Sequence, residues 1–146
     1  MKRSEALQQL SRDHQHALAV ALELRRAGAG EEARARERFL GFWGTEGAHH
    51  FRVEEDVLLP GCAAAVSPTD PAVVRVLTDH VEIRRRAADL AEVTDPPASE
   101  LNELGELLKD HVRHEERVLF PAIEQALPPE ELERLAQRTE EAERSG

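Results

Sequence analysis

The sequence predicts an all-α protein: a four-helix bundle whose helices run up, down, up and down, followed by a short C-terminal helix. Three observations carry this. Apolar residues recur at steps of three and four over long stretches, and strand-like alternation is absent. The chain is 40% apolar and 33% charged with only five aromatic residues, and Ala, Leu, Glu and Arg dominate, which favours helix over sheet. Finally, His50-Phe-Arg-Val-Glu54-Glu-Asp-Val-Leu-Leu-Pro60 and His111-Val-Arg-His-Glu115-Glu-Arg-Val-Leu-Phe-Pro121 nearly repeat, each carrying a histidine and a glutamate four residues apart on an apolar stripe.

The first helix runs from about Ser4 to Ala27, with Leu7, Leu10, His14, Ala17, Ala21 and Leu24 at heptad-like spacing. Ser4 is its candidate N-cap and Gly28-Ala-Gly30 its stop. The second runs from Glu31 to about Leu59, with Phe39, Trp43, His50, Glu54 and Val57 inward and Pro60-Gly61 as its stop. Gly41, Gly44 and Gly47 fall inside it, each costing about 1 kcal/mol relative to Ala, so a bend or break is expected there. After the loop Ser67-Pro-Thr-Asp-Pro71, the third helix carries Val73, Val76, His80, Ile83, Ala87 and Leu90 on one stripe and ends before Pro96-Pro97. Ser99 or Asn102 caps the fourth, whose stripe Leu104, Leu108, His111, Glu115, Val118 and Ala122 passes through Pro121, where a kink is expected. Pro128-Pro129 starts a charged C-terminal helix to about Arg144, a cover rather than a fifth bundle member.

With 146 residues, the chain fits a single domain, the bundle spanning about 4–127 and the last helix about 129–144. Nineteen Lys and Arg stand against 29 Asp and Glu, a formal charge of −10, which repels phosphate backbones and anionic lipid and argues against nucleic acid and membrane surfaces as partners. The single cysteine, Cys62, forms no internal disulfide and suits a reducing compartment as a loop or core thiol. Residues 1–24 contain Lys2, Arg3, Glu5, Arg12, Asp13 and Glu23 with no continuous apolar run, so a cytoplasmic location is expected.

On a helix, a histidine and a glutamate four apart lie on one face about 6 Å apart along the axis, so each repeat offers an imidazole and a carboxylate to one point. A lone pair of this kind is usually a surface ion pair. Two aligned copies, both on apolar stripes and both followed by Val-Leu-x-Pro, argue for a metal site. The heights agree: His14 is ten residues into the first helix, His50 ten before Pro60, His80 nine past Pro71 and His111 ten before Pro121. At about 1.5 Å per residue each lies roughly 14 to 15 Å from the same end of an antiparallel bundle. The candidate metal ligands are therefore His14, His50, Glu54, His80, His111 and Glu115. His16 and His49 point away from that set, and His114, three residues after His111, is a candidate fifth imidazole. Glu55 and Glu116 read as solvated charge. No Gly-rich phosphate loop, Cys-His nucleophile or His-Glu-x-x-His is present.

Asp13-His14, His50-Phe-Arg-Val-Glu54-Glu, Asp79-His80 and His111-Val-Arg-His-Glu115-Glu-Arg-Val-Leu-Phe-Pro together resemble the motifs of hemerythrin-like, or HHE cation-binding, domains over about residues 4–127. That resemblance implies a four-helix bundle around a non-haem diiron centre: one iron on His14 and His50, the other on His80 and His111, with Glu54 and Glu115 bridging. Oxygen-carrying hemerythrins are known for five histidines, whereas four have a place here. Phe51 also stands where some iron-sensing relatives have a glutamate. Octahedral iron would then keep open positions for water, hydroxide or an exogenous ligand. Mixed imidazole and carboxylate donors suit iron, zinc, copper or manganese rather than calcium or magnesium. A bridging oxide or hydroxide would reduce the excess buried charge of two iron ions. The expected function is binding of oxygen or a related small oxidant such as nitric oxide or peroxide, for sensing, storage or redox and iron response.

The alternative is a di-metal oxidase or peroxidase-type enzyme. The absence of tyrosine removes the usual phenol radical relay, and the Glu-x-x-His order of ferritin-like sites occurs only as Glu46-Gly-Ala-His49, without a partner copy. A metal-free helical interaction module would leave two carboxylates buried without counter-charge, which is costly.

Overall fold

The computed structural model describes residues 3–145, and all regular structure among them is helical. Consecutive helical turns join into five rods: α1 (Glu5–Arg26), α2 (residues 32–62), α3 (Pro71–Glu92), α4 (residues 98–126) and α5 (Pro129–Arg144). No helix among the described residues is long and apolar enough to cross a membrane.

The stripes of α1 and α3 are buried along their whole length, as their periodicity requires: Leu7, Leu10, His14, Ala17, Ala21 and Leu24 on α1, and Val73, Val76, His80, Ile83, Ala87 and Leu90 on α3. α1 lies along α4, and Gly105 makes that approach possible, because a Cβ there would come within 2.7 Å of the Ala21 carbonyl oxygen. α5 packs on α1 and α2 and buries Leu135 against Gly61. Two apolar clusters result. One contains Leu24, Phe39, Leu104 and Leu108, the other Leu7, Leu58, Leu119, Phe120 and Leu135. Buried but polar, His14, His50, Glu54, His80, His111 and Glu115 belong to neither cluster.

Several expected boundaries are corrected. Asn102 does not cap α4, nor does Ser99; Pro97 stands at the N-cap, and Asn102 Nδ2 instead donates to the carbonyls of Leu24, Arg25 and Ala27, closing the C-terminus of α1. Ser4 occupies the N-cap of α1 without a side-chain cap bond, and its N–H donates to Glu124. Asp70 caps α3 by accepting from the Ala72 N–H at 2.9 Å. The glycines of α2 do not break it. The chain stays helical through a π turn at Trp43–Gly47, in which the Ala48 N–H bonds the Trp43 carbonyl.

Pro60 does not stop α2, which continues to Cys62, and α4 likewise stays helical through Pro121. A π turn precedes each proline, at Glu54–Leu58 and Glu115–Leu119, closed by the Leu59 N–H on the Glu54 carbonyl and the Phe120 N–H on the Glu115 carbonyl. Proline lacks an N–H and its ring clashes with the carbonyl four residues back, so a widened turn just upstream relieves both problems. The extra residue in each turn moves the apolar stripe on by one position. Val118, expected inward, is 47% exposed while Leu119 is fully buried; Leu58 rather than Val57 fills the core of α2, and Ile123 rather than Ala122 that of α4.

Candidate metal centre

Each π turn begins at the glutamate of a His-x-x-x-Glu pair, so the repeated sequence delivers its carboxylate at the point where the helix widens. The six residues singled out by spacing are all brought together. Two groups of four donors form, His14, His50, Glu54 and Glu115 in one and Glu54, His80, His111 and Glu115 in the other, the donor atoms of each lying within 4.8 Å of one another. The two glutamates belong to both. Glu54 turns Oε2 to His50 Nε2 (3.1 Å) and Oε1 to His80 Nε2 (3.0 Å), while Glu115 turns Oε1 to His14 Nε2 (3.0 Å) and Oε2 to His111 Nε2 (2.9 Å).

The far side of every ring also meets a carboxylate. His14 Nδ1 lies 2.7 Å from Glu116, His50 Nδ1 3.1 Å from Asp13, His80 Nδ1 2.6 Å from Glu55 and His111 Nδ1 3.0 Å from Asp79. A carboxylate at Nδ1 holds the ring proton there and leaves the Nε2 lone pair facing the glutamates. Lone pairs facing lone pairs make no hydrogen bond. Accordingly the four Nε2 atoms and all four oxygens of Glu54 and Glu115, eight buried atoms, have no hydrogen-bond partner among the described residues. Orphaned polar atoms at this density are costly, and a cation shared among them removes the cost. The donor set fits a metal.

Without a cation, protons take its place. Burial opposes a charge on His14, but the carboxylates of Glu115 and Glu116 outweigh it and raise its pKa to about 9. His80 rises to about 10 for the same reason, against Glu115 and Glu54. Burial likewise works against ionisation of Glu115, yet the charge of His111 and its other imidazole neighbours hold it well below the usual carboxylate range. Glu143 moves the other way: burial and the charge of Asp13 push it up to about 7.

Aromatic rings hold the imidazoles. Phe51 stacks on His80 with centroids 3.8 Å apart and planes 7° apart, and Phe120 stacks on His14 at 5.4 Å. A cavity of about 230 Å³ opens beside the centre, lined by His14, His50 and His111 and walled by Phe42, Trp43 and Phe51. Glu143 of α5 lines it as well. Gly47 is confined there, since a Cβ would meet Trp43 at 2.8 Å and Phe42 at 3.0 Å.

Glu55 and Glu116 are corrected from solvated charge to partners of the imidazoles. Their signal in the sequence was the Glu-Glu pair in each repeat; like Asp13-His14 and Asp79-His80, it sets an acid beside a candidate ligand, but each acid serves a histidine on another helix. His114 lies outside the donor groups, its Nε2 on the Ala72 carbonyl at 2.9 Å. His49 meets the Glu143 carbonyl, and His16 pairs with Glu46 at 2.7 Å. Cys62 is a buried core thiol.

The hemerythrin HHE cation binding domain model matches residues 5–123, with a second, overlapping match over residues 73–144. Searches among curated proteins and among solved structures find no match. Two shared glutamates, four buried imidazoles and a family match over most of the sequence lead to one conclusion: the chain belongs to the hemerythrin HHE cation-binding domain family.

Proposed function

We propose that this single-domain protein, an up-down-up-down four-helix bundle over about residues 4–127 with a covering C-terminal helix, is a non-haem diiron protein. His14 and His50 would hold one iron, His80 and His111 the other, and Glu54 and Glu115 both; the ligand would be oxygen or a related small oxidant, nitric oxide or peroxide, bound for sensing, storage or redox and iron response. The observation that carries this reading is the set of eight buried, unpartnered donor atoms, with each glutamate's two oxygens divided between the two groups. Imidazole nitrogens with shared carboxylate oxygens suit a transition metal such as iron rather than calcium or magnesium.

Two iron ions held there would supply reversible electron transfer and open positions for a small ligand. The chain's own groups do the rest. Asp13, Glu55, Asp79 and Glu116 hold the four rings in one tautomer and raise their basicity. Phe51 and Phe120 shield two of those rings from water, and the cavity admits a ligand beside His14, His50 and His111. The second reading, a di-metal oxidase or peroxidase-type enzyme, would use the same cavity to bring a substrate beside His14, His50 and His111.

Metal analysis of the purified protein, with optical spectra before and after exposure to air, tests the proposal. Two irons per chain and near-ultraviolet absorption of a ferric pair that responds to oxygen, nitric oxide or peroxide are expected. One metal per chain, a colourless zinc protein or thermal melting indifferent to chelator would refute it.

A further inference from the structure

Three of the four carboxylates behind the imidazoles carry a guanidinium, and the three are divided unevenly between the two donor groups. Behind His80 and His111 both carboxylates are offset, Glu55 by Arg84 at 2.9 Å and Asp79 by Arg75 at 3.3 Å. Behind His14 and His50 the balance is poorer. Arg3 reaches the Glu116 carboxylate only at 3.5 Å, its shorter contacts being Glu124 at 2.7 Å and the Glu116 carbonyl at 2.6 Å. Asp13, behind His50, has no Lys or Arg partner among the described residues. Arg12 beside it donates to Gln9 Oε1, and Arg144 pairs with Glu140.

A carboxylate behind an imidazole raises the ring's basicity and strengthens its hold on a metal; a guanidinium on that carboxylate draws charge away and weakens the effect. Behind His80 and His111, two carboxylates stand against two guanidinium groups and sum to zero. Behind His14 and His50, two carboxylates stand against one guanidinium and sum to −1, and Glu143 adds to that side alone whenever it is ionised. Glu54 and Glu115 belong to both halves and cancel from the comparison. Since each half has two imidazoles and the same two carboxylates as donors, the outer charges decide which holds a cation more tightly. Arg75 and Arg84 are 48% and 37% exposed, so solvent screens them and each charge is worth about tenfold in affinity, the lower end of what outer groups contribute.

We propose that Arg75 and Arg84 grade the centre into unequal halves: the half on His14 and His50 takes the first cation and keeps it, while the half on His80 and His111 fills last and empties first. Arg84 and Arg75 touch no donor atom and act through Glu55 and Asp79, as positioning residues of the weaker half. The inference rests on the reading of the buried cluster as a two-metal centre and deepens its metal-response role, since one half follows metal supply while the other stays occupied. The cavity is lined by Asp13, His14 and His50 and not by His80 or Glu55, so a half-filled protein keeps its ion beside the cavity.

Equilibrium competition of the purified protein against a chromophoric chelator at fixed pH and salt, with bound metal counted per chain, reads the two steps. Protein purified with fewer than two metals is first loaded with cobalt(II). The quantity compared is the ratio of the two dissociation constants. Arg84→Gln should tighten the weaker step about tenfold, and Asp13→Asn, which keeps an acceptor for His50, should loosen the tighter step by a similar factor, so both narrow the ratio. Arg84→Lys keeps the charge, and Arg85→Gln removes one that faces Glu82 and Asp89, so both should match wild type. A merely structural role for Arg84 moves the readout the other way, because its loss would loosen the weaker step. The exposed Arg84 keeps the test decisive if Asp13→Asn fails to fold. The proposal is overturned if Arg84→Gln or a folded Asp13→Asn widens the ratio or leaves it unchanged, or if Arg84→Lys behaves like Arg84→Gln. Two metals with a widened ratio would sink this inference alone. One metal at saturation would sink the two-metal reading, and this inference then falls too unless that ion withstands Arg84→Gln and is weakened about tenfold by Asp13→Asn. A chain that binds no metal sinks both.

Discussion

Replacing Glu55 by alanine separates a partner of the metal site from an ordinary surface charge. Glu55 Oε2 lies 2.6 Å from His80 Nδ1, and no other acceptor among the described residues faces that nitrogen; Oε1 meets Arg84 at 2.9 Å. Losing a charge-assisted bond to a buried ring costs about 1.5 to 3 kcal/mol, while losing the half-exposed Arg84 pair costs less than about 1 kcal/mol. Phe51, stacked on His80 at 3.8 Å, still holds the ring plane, so the penalty falls on tautomer and basicity rather than on position. Metal affinity should therefore drop about 10- to 100-fold, within the usual range for such outer carboxylates, and both metals should still bind at saturation. Competition against a chromophoric chelator at fixed pH and salt measures this, with Asp56→Ala, exposed one residue further on, as the control. Equal affinities for Glu55→Ala and Asp56→Ala would refute the assignment of Glu55 to His80.

Four further outcomes are expected. Leu119→Ala should cost about 2 to 5 kcal/mol in denaturant unfolding and Val118→Ala less than about 0.5 kcal/mol; the reverse order would show that no residue is added in the turn at Glu115. Removing metal at a thousandfold excess over its Kd should withdraw about 4 kcal/mol, lowering Tm by roughly 8 to 16 °C, and a chelator-independent melt would contradict this. In the metal-free protein His14 and His80 hold protons to about 9 and about 10, above the ordinary 6.5, so the stability they contribute is complete below pH 6.5 and disappears as pH rises through 9 to 10. Metal competes with those protons, so affinity should climb over the same interval; a metal-free Tm that rises from pH 7 to 9.5 would invert the sign. Gly41→Ala should stabilise by up to about 1 kcal/mol because nothing lies near its added Cβ, whereas Gly47→Ala, forced against Trp43 and Phe42, should destabilise; thermal melts of the pair decide it.

The sequence by itself determined that the chain is helical, which faces of α1 and α3 are buried, and which six side chains share one height. Those properties follow from residue spacing, because a helix converts steps of three, four and seven into direction and 1.5 Å per residue into depth. Helix ends were less legible. Pro60 and Pro121 read as a stop and a kink, since the widened turns that accommodate them depend on hydrogen bonds five residues apart, which no spacing rule marks. The same turns moved burial from Val118 to Leu119.

Only the tertiary structure decided what stands behind the imidazoles. Asp13 serves His50, Asp79 serves His111, Glu55 serves His80 and Glu116 serves His14, each across a helix interface. Glu143 reaches the cavity from the far end of the chain. Contacts between helices depend on how rods rotate and slide against one another, and that is set by packing of the whole core rather than by any local run of residues.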